Sequence, residues 1–429
     1  MKIDYYNYLL YVNAILIIFL PIFIVTGPFL PDMVVVFSTI TLIFLLKKNQ
    51  YLLFNKFIYF YLLWYFYILF TSLISNNVLL SLESSLFHFR FIFFSITLFC
   101  ILEKFKKFAF YFTLSFLIFF TIVIFDGYYQ FFTGTNLAGF NRDLNNFRLS
   151  GFFGEELKLG SYLSRMLPLL LALVIKNIKN KIFQNILIFL LIILTDVLVY
   201  LTGERTAFLN VLLLFFIFII VLQNKKILRL MAASISLILV TYLTTIDSSL
   251  KSRLDQTLEQ TGISSLINSE SNDKKSRLII FSDVHESHYI TSYRIFKDNF
   301  IFGIGPKMYR ELCGDKKYKF DRHSCATHPH NTYVQLFLET GIFGAIPVLI
   351  IFFMIVYIFI KKIYSNYFKF KNYYDDYFFL LIASFFINLW PLVPSGNFFN
   401  NWLNVIYFLP LGFILNHLKS LKHNKSFDY

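Results

Sequence analysis

Charged residues make up only 15% of the chain, and 429 positions hold just 3 cysteines, 16 glycines and 10 prolines. So few cysteines exclude a disulfide scaffold, and so few glycines and prolines exclude a collagenous or low-complexity chain. No P-loop, GxGxxG, HExxH or CxxC pair occurs, which removes nucleotide hydrolysis and zinc hydrolysis as leading functions. The polar surface of a large soluble domain is missing too, since 57% of residues are apolar and mean hydropathy is +0.63. A membrane protein is the reading that remains. At about 20 apolar residues per crossing there is room for roughly ten to thirteen helices and one sizeable extramembrane segment. The 57 Phe and 28 Tyr read as lipid-facing bulk and interfacial anchors.

Apolar runs at 7–26, 29–46, 57–75, 86–102, 109–125, 161–175, 183–201, 207–222, 230–245, 332–360, 378–392 and 403–417 predict an all-α polytopic membrane protein of about twelve transmembrane helices. Alternate connections carry the lysines, among them Lys47 and Lys48, Lys106 and Lys107, Lys179 and Lys181, Lys225 and Lys226, Lys361 and Lys362. The connections around Gly27, Asn76 to Ser85 and Pro394 to Asn401 have no Lys or Arg. By the positive-inside rule both termini are cytoplasmic, with a retained first helix in place of a cleaved signal. Residues 1–245 form a bundle with an outer loop at 126–160, residues 246–331 a long, partly helical outer segment, residues 332–418 the last three membrane helices and 419–429 a cytoplasmic tail. The formal charge of +14 is therefore a matter of topology, and nucleic acid is not a partner.

Arg142, Arg148, Lys158, Arg165 and Arg205 fall on the outer side, against the bias of the rest of the chain. Either they snorkel to head groups or something anionic is bound there. Arg205, in the short turn Gly203-Glu-Arg-Thr206 between two apolar runs, is held at the membrane surface. Arg90 and Asp196 lie inside membrane runs, where charge is costly, and a pair between them is one way to satisfy both.

Thr327-His-Pro-His-Asn331 precedes the tenth run. Thr327 can cap a helix and Pro329 suits a first turn. With about 100° per residue, His330, Gly341 and Gly344 share one stripe, and glycines there let another helix come close. At a helix start the dipole disfavours imidazolium, which leaves His330 a neutral base.

His330-Asn331, nine residues, then Gly341-x-x-Gly344 resembles the signature of the bacterial O-antigen ligase and polymerase family. Three further strings agree in order: Arg148-Leu-Ser-Gly-Phe-Phe-Gly, Gly203-Glu-Arg-Thr-Ala, and Asp298-Asn-Phe-Ile-Phe-Gly-Ile-Gly. The resemblance implies an inner-membrane glycosyltransferase with its site facing the periplasm. It would move a glycan from undecaprenyl diphosphate to an acceptor hydroxyl such as that of lipid A core, without metal or other cofactor. In that reading His330 is the base, Arg205 and Arg148 hold the diphosphate, and Asn331 and His328 contact substrate. Where this family often has a further arginine the chain has His285, so Arg277, Arg294 and Arg310 are candidates for the remaining phosphate ligand. An oxidising compartment makes Cys313 and Cys325 a disulfide bracing the loop before His330. A polymerase or a protein O-oligosaccharyltransferase would use the same donor. A transporter or flippase, with a path lined by Arg90, Asp196 and Arg165, is the alternative from another class.

Overall fold

The computed structural model describes residues 5–46, 56–143, 148–260, 281–368 and 374–425. The described residues are helical, with no strands beyond two isolated bridges, Thr135 to Asn141 and Asp143 to Arg148. The helices are α1 (Tyr5–Ile18), α2 (Leu20–Phe23), α3 (Phe29–Leu46), α4 (Lys56–Leu73), α5 (Val78–Ser85), α6 (Arg90–Lys104), α7 (Phe108–Thr133), α8 (Leu159–Asn177), α9 (Lys181–Thr202), α10 (Arg205–Ile220), α11 (Lys226–Ile246), α12 (Ser248–Gln260), α13 (Asp283–Asp298), α14 (Tyr309–Leu312), α15 (Thr332–Tyr367), α16 (Asp376–Asn388) and α17 (Asn401–Lys425).

Seven stretches of the described residues are long and apolar enough to cross a bilayer, against the twelve runs read from the sequence. Four shorter apolar helices, α1, most of α4, α10 and α16, account for much of the difference. The run at 7–26 breaks at Phe19, just before Pro21. Proline lacks an N–H and its ring crowds the carbonyl four residues back, so a helix gives way there. The run at 86–102 is instead extended, because α5 leads through a turn into α6 and Val78–Lys104 makes one candidate span.

α8 is the axis of the bundle. Of its span 83% is buried, as expected of a helix apolar nearly all round, and it packs against α7, α9, α10 and α16. α11, 22% buried, lies at the periphery. Lys419 pairs with Glu103 at 2.6 Å, and Tyr5 meets Phe44 edge-on, so α1 and α17 both reach one end of the bundle. Lys225 bonds Gln184 there, and Arg229 and Lys362 face Asp376. The basic residues Lys225, Arg229, Lys362 and Lys419 thus share this end.

The proposed pairing of Arg90 with Asp196 is not formed. Arg90 binds Asp32 of α3 at 2.8 Å, which a helix-to-helix reading could not foresee because α3 and α6 are separated by two helices in sequence. Asp196 lies instead against Ser236 of α11.

Candidate active site

At the other end of the bundle three connections converge. The first is the turn between α9 and α10. Gly203 ends α9 in the left-handed conformation that favours glycine, φ 67°, and the Arg253 guanidinium occupies the space a Cβ there would take. Next to it the buried Glu204 carboxylate accepts from the backbone N–H groups of Gly160 (2.7 Å) and Ser161 (3.0 Å) and from the Ser161 hydroxyl (2.7 Å). An acid at the positive start of α8 satisfies donors that the helix itself cannot. Glu204 is thereby committed to holding two helices together, and Arg205 follows it into the site.

The loop before α8 is shaped from within the bundle. Gln130 accepts from the N–H groups of Ser150 (3.0 Å) and Gly151 (2.8 Å), Asn136 donates to the Gly151 carbonyl (2.7 Å), and Asp126 accepts from the Leu137 N–H (2.8 Å). Arg142 lies over the Phe131 ring, and Arg148 donates to the Leu157 carbonyl. Arg253 of α12 donates to the Gly203 carbonyl at 2.7 Å. Burial lowers its pKa, and the guanidiniums of Arg148, Arg205 and Arg142 lower it further against one carboxylate, Asp143. Four guanidiniums meet here, with Asp143, Asp247 and Glu204 as neighbouring carboxylates, and their forked donors have the geometry that phosphate oxygens accept.

The second and third connections bring four histidines together. His285 and His288 stand one turn apart on α13. The His330 ring stacks on His288 with centroids 5.4 Å apart, lies 4.1 Å from His328 and meets His285 edge-on at 5.6 Å. Burial first, then His328, His285 and His288, hold the His330 pKa down at about 3. Burial likewise brings His328 down to about 4. Both imidazoles are neutral at physiological pH and able to accept a proton. An incoming dianion would raise their basicity.

His330 is not in the first helical turn. It precedes the cap in a left-handed conformation, φ 57°, unusual for any residue but glycine. Asn331, not Thr327, is the cap, accepting from the N–H groups of Tyr333 (3.0 Å) and Val334 (3.2 Å) while donating to the Pro391 carbonyl (2.8 Å). Asparagine caps well because its short amide reaches exactly those orphan donors. Ser395 N–H donates to the His330 carbonyl at 2.9 Å. The connection between α16 and α17 therefore fixes the backbone from which His330 projects.

The glycine stripe is also revised. α15 breaks at Gly341, φ 64° and ψ −171°, so His330, Gly341 and Gly344 do not lie on one regular helix. At the break the segment 300–305 crosses, with Ile304 N–H to Leu338 O (3.1 Å), Gly305 N–H to Glu339 O (2.8 Å) and Ile342 N–H to Phe300 O (2.9 Å). A Cβ on Gly303 would strike the backbone of 339–341, and one on Gly341 the Ile301 carbonyl. Only Gly344 meets the expected helix, its carbonyl accepting from Trp64 of α4 at 2.8 Å. The Cys313–Cys325 disulfide is formed, and Tyr309 donates to the Ser324 carbonyl inside the loop it closes.

Two cavities flank the histidines. One, of about 340 Å³, is mostly apolar and is lined by Tyr200, Phe208 and Leu254 together with Arg205, Arg253 and His285. The other, of about 600 Å³, is polar and takes Arg165, Arg310 and His328 in its wall. His330 touches both His285 and His328.

Arg205 and Arg148 thus fall in one cluster, while Arg310 belongs to the second cavity. Arg294 lies over Phe320 and donates to the Lys319 carbonyl, outside either group. Arg277 is outside the described residues. Sequence reasoning did not select Arg253. Its signal was available: α12 begins directly after a membrane run, so its basic residues are held near the surface. The transporter path is not assembled, because Arg90, Asp196 and Arg165 keep separate partners, Asp32, Ser236 and Asn388.

Fold and site together define a polytopic helical membrane protein with a histidine and arginine site at one end of its bundle. Residues 187–349 match the family model described as O-antigen ligase, a segment that holds Arg205, Arg253, all four histidines and the Gly341 break. The match supports what the motifs imply, a protein of the O-antigen ligase and polymerase type. No curated protein matches the chain.

Proposed function

We propose that this protein transfers a glycan from a polyprenyl-diphosphate carrier to an acceptor hydroxyl at the outer face of the membrane, with lipid A core as the acceptor. The observation that carries the reading is that the His330 ring contacts both His285, in the wall of the apolar cavity, and His328, in the wall of the polar one. The apolar cavity with Arg205 and Arg253 suits a lipid ending in diphosphate, because guanidinium forks match phosphate oxygens and the apolar wall matches the chain. The polar cavity suits the acceptor.

The acceptor oxygen attacks the anomeric carbon and the bond from that carbon to the phosphate oxygen breaks. The departing electron pair stays on the diphosphate, where Arg205, Arg253 and Arg148 neutralise it. The hydroxyl proton passes to His330, which is neutral before the reaction and grows more basic beside the diphosphate. Asn331 and Ser395 serve as positioning residues that fix the His330 backbone.

The test is the surface glycolipid and carrier-lipid profile of a strain lacking the gene, complemented with wild type or His330→Ala. Bare core with long polymer accumulating on the carrier, unrescued by His330→Ala, is the expected result. Core carrying single repeats would mean a polymerase, and an unchanged profile would overturn the ligase reading.

A further inference from the structure

The polar cavity carries more positive charge than an uncharged acceptor needs. Lys158, Arg165, Lys307 and Arg310 line it with Glu83 as the one carboxylate in its wall. Lys158 is paired with Glu156 and Lys307 with Glu83. Arg165 has neutral partners, Asn388 and Tyr407, whereas Arg310 also faces the carboxylates of Glu83 and Glu339. Arg165 donates to the Asn388 amide oxygen from inside the bundle, and Arg310 donates to the Thr327 carbonyl. Arg165 is 5% exposed, and its Nε has no hydrogen-bond partner among the described residues. The same is true of His328 Nε2, also buried in this wall. A buried guanidinium with an unsatisfied donor is costly in a membrane bundle unless a ligand completes it. Around these cations, the backbone and amides of Asn397, Asn400 and Asn401 offer both donors and acceptors, the mixture that sugar hydroxyls require.

We infer that this second cavity is an anion-reading acceptor subsite, in which Arg165 and Arg310 bind a phosphate or carboxylate carried by the acceptor glycan. The inference rests on the glycan-transfer reading for the word acceptor, and on the cavity alone for the anion. It selects a charged glycan over a protein hydroxyl, a choice the motifs leave open. Arg165 anchors the anion from the membrane side, Arg310 from the loop that the disulfide closes, and the acceptor hydroxyl is left facing His330 past His328.

The full-length protein in lipid nanodiscs should be titrated, by microscale thermophoresis, with three synthetic glycolipids identical except at one sugar, which is phosphorylated, oxidised to a uronic acid, or neutral. A serine-containing peptide is the fourth probe. One or both anionic probes should bind about tenfold tighter than the neutral one, the scale of a charge-assisted fork. Preference for phosphate alone identifies a phosphorylated glycan, and preference for both identifies either anion. Arg165→Gln and Arg310→Gln should each shrink the preference, and Arg165→Lys should retain part of it. Should Arg165→Gln fail to fold, Arg310→Gln, at the exposed rim, decides the matter. Equal binding of the neutral probe, tightest binding of the peptide, or a preference that survives Arg310→Gln unchanged would overturn the inference. Transfer by the wild type without anion preference sinks this inference alone. Anion preference without transfer from a lipid-linked donor sinks the glycan-transfer reading and leaves the anion site standing.

Discussion

Both ends of the bundle hold buried or half-buried arginine, and they treat it differently. At the end that gathers the lysines, Arg229 is buried, lies over Phe218, donates to the Leu222 carbonyl at 2.9 Å and faces Asp376. Nearby, His417 and Asp375 approach to 3.3 Å. At the site end Arg253 faces three more guanidiniums and Asp143, Asp247 faces Arg142, and Glu204, which faces Arg148, is occupied with backbone N–H groups of α8. Paired charge holds structure together, whereas like charge gathered in one place is costly and persists where something is bound. The contrast separates the two ends more sharply than the number of cations at each.

Substitutions can break that contrast. The largest effect should come from His330→Ala, which is expected to lower glycan transfer by about 10²-fold or more at unchanged membrane insertion, read by in vitro transfer to a purified acceptor. Next, Arg253→Ala should weaken donor binding by about tenfold or more with little change in melting temperature. Its counterpart Arg229→Ala should do the reverse. Leaving Asp376 with less compensation in the interior costs about 3 kcal/mol, visible as a lower melting temperature and yield, while turnover per folded molecule stays near wild type. If Arg229→Ala impaired donor binding as Arg253→Ala does, the distinction between the two ends would collapse.

Cys313→Ser should lower stability by about 3 kcal/mol, the scale for closing a loop of this size, and should loosen the loop that carries Arg310. A melting curve with and without reductant checks it, since reductant should lower the wild-type midpoint and leave the variant unmoved. A further effect is on pH. His330 and His328 titrate in the folded protein at about 3 and about 4, below the unfolded histidine value near 6.5. As pH falls below about 6.5 the unfolded chain takes up protons that the folded site refuses, so stability drops progressively towards about pH 4. Thermal melts at pH 7 and pH 5 should show the drop, and His328→Asn should reduce it.

Some of this was legible in the residues. Arg205 could be placed because a four-residue turn between two apolar runs leaves a side chain little freedom of position. Cys313 and Cys325 could be paired because they share one segment on the outer side. His330 was recognisable by its neighbours in the chain, although its backbone was misread: a cap at Thr327 and a cap at Asn331 look alike in sequence, and only the contact with Pro391 and Ser395 favours the second. Gly341 was correctly singled out for close approach. What approaches is the 300–305 segment and not a helix, because backbone hydrogen bonds from Ile304 and Gly305 win at the break. Arg165 was read only as one of several outer cations, and Arg253 was passed over although it follows a membrane run closely, since meeting three other arginines is a matter of tertiary structure.

The sequence by itself determined the solvent this chain folds in and which connections hold the cations, because apolar run length and lysine placement are local properties that the bilayer reads directly. It also singled out His330 as a candidate, through a motif whose glycines constrain the backbone nearby. Only the tertiary structure decided which charges meet. Arg90 found Asp32 in place of Asp196, Glu204 was turned into a helix cap, and four guanidiniums from 142 to 253 were drawn together, two of them, Arg205 and Arg253, at one cavity. Coulombic interaction and desolvation depend on distance and burial in space, and neither is a function of separation along the chain.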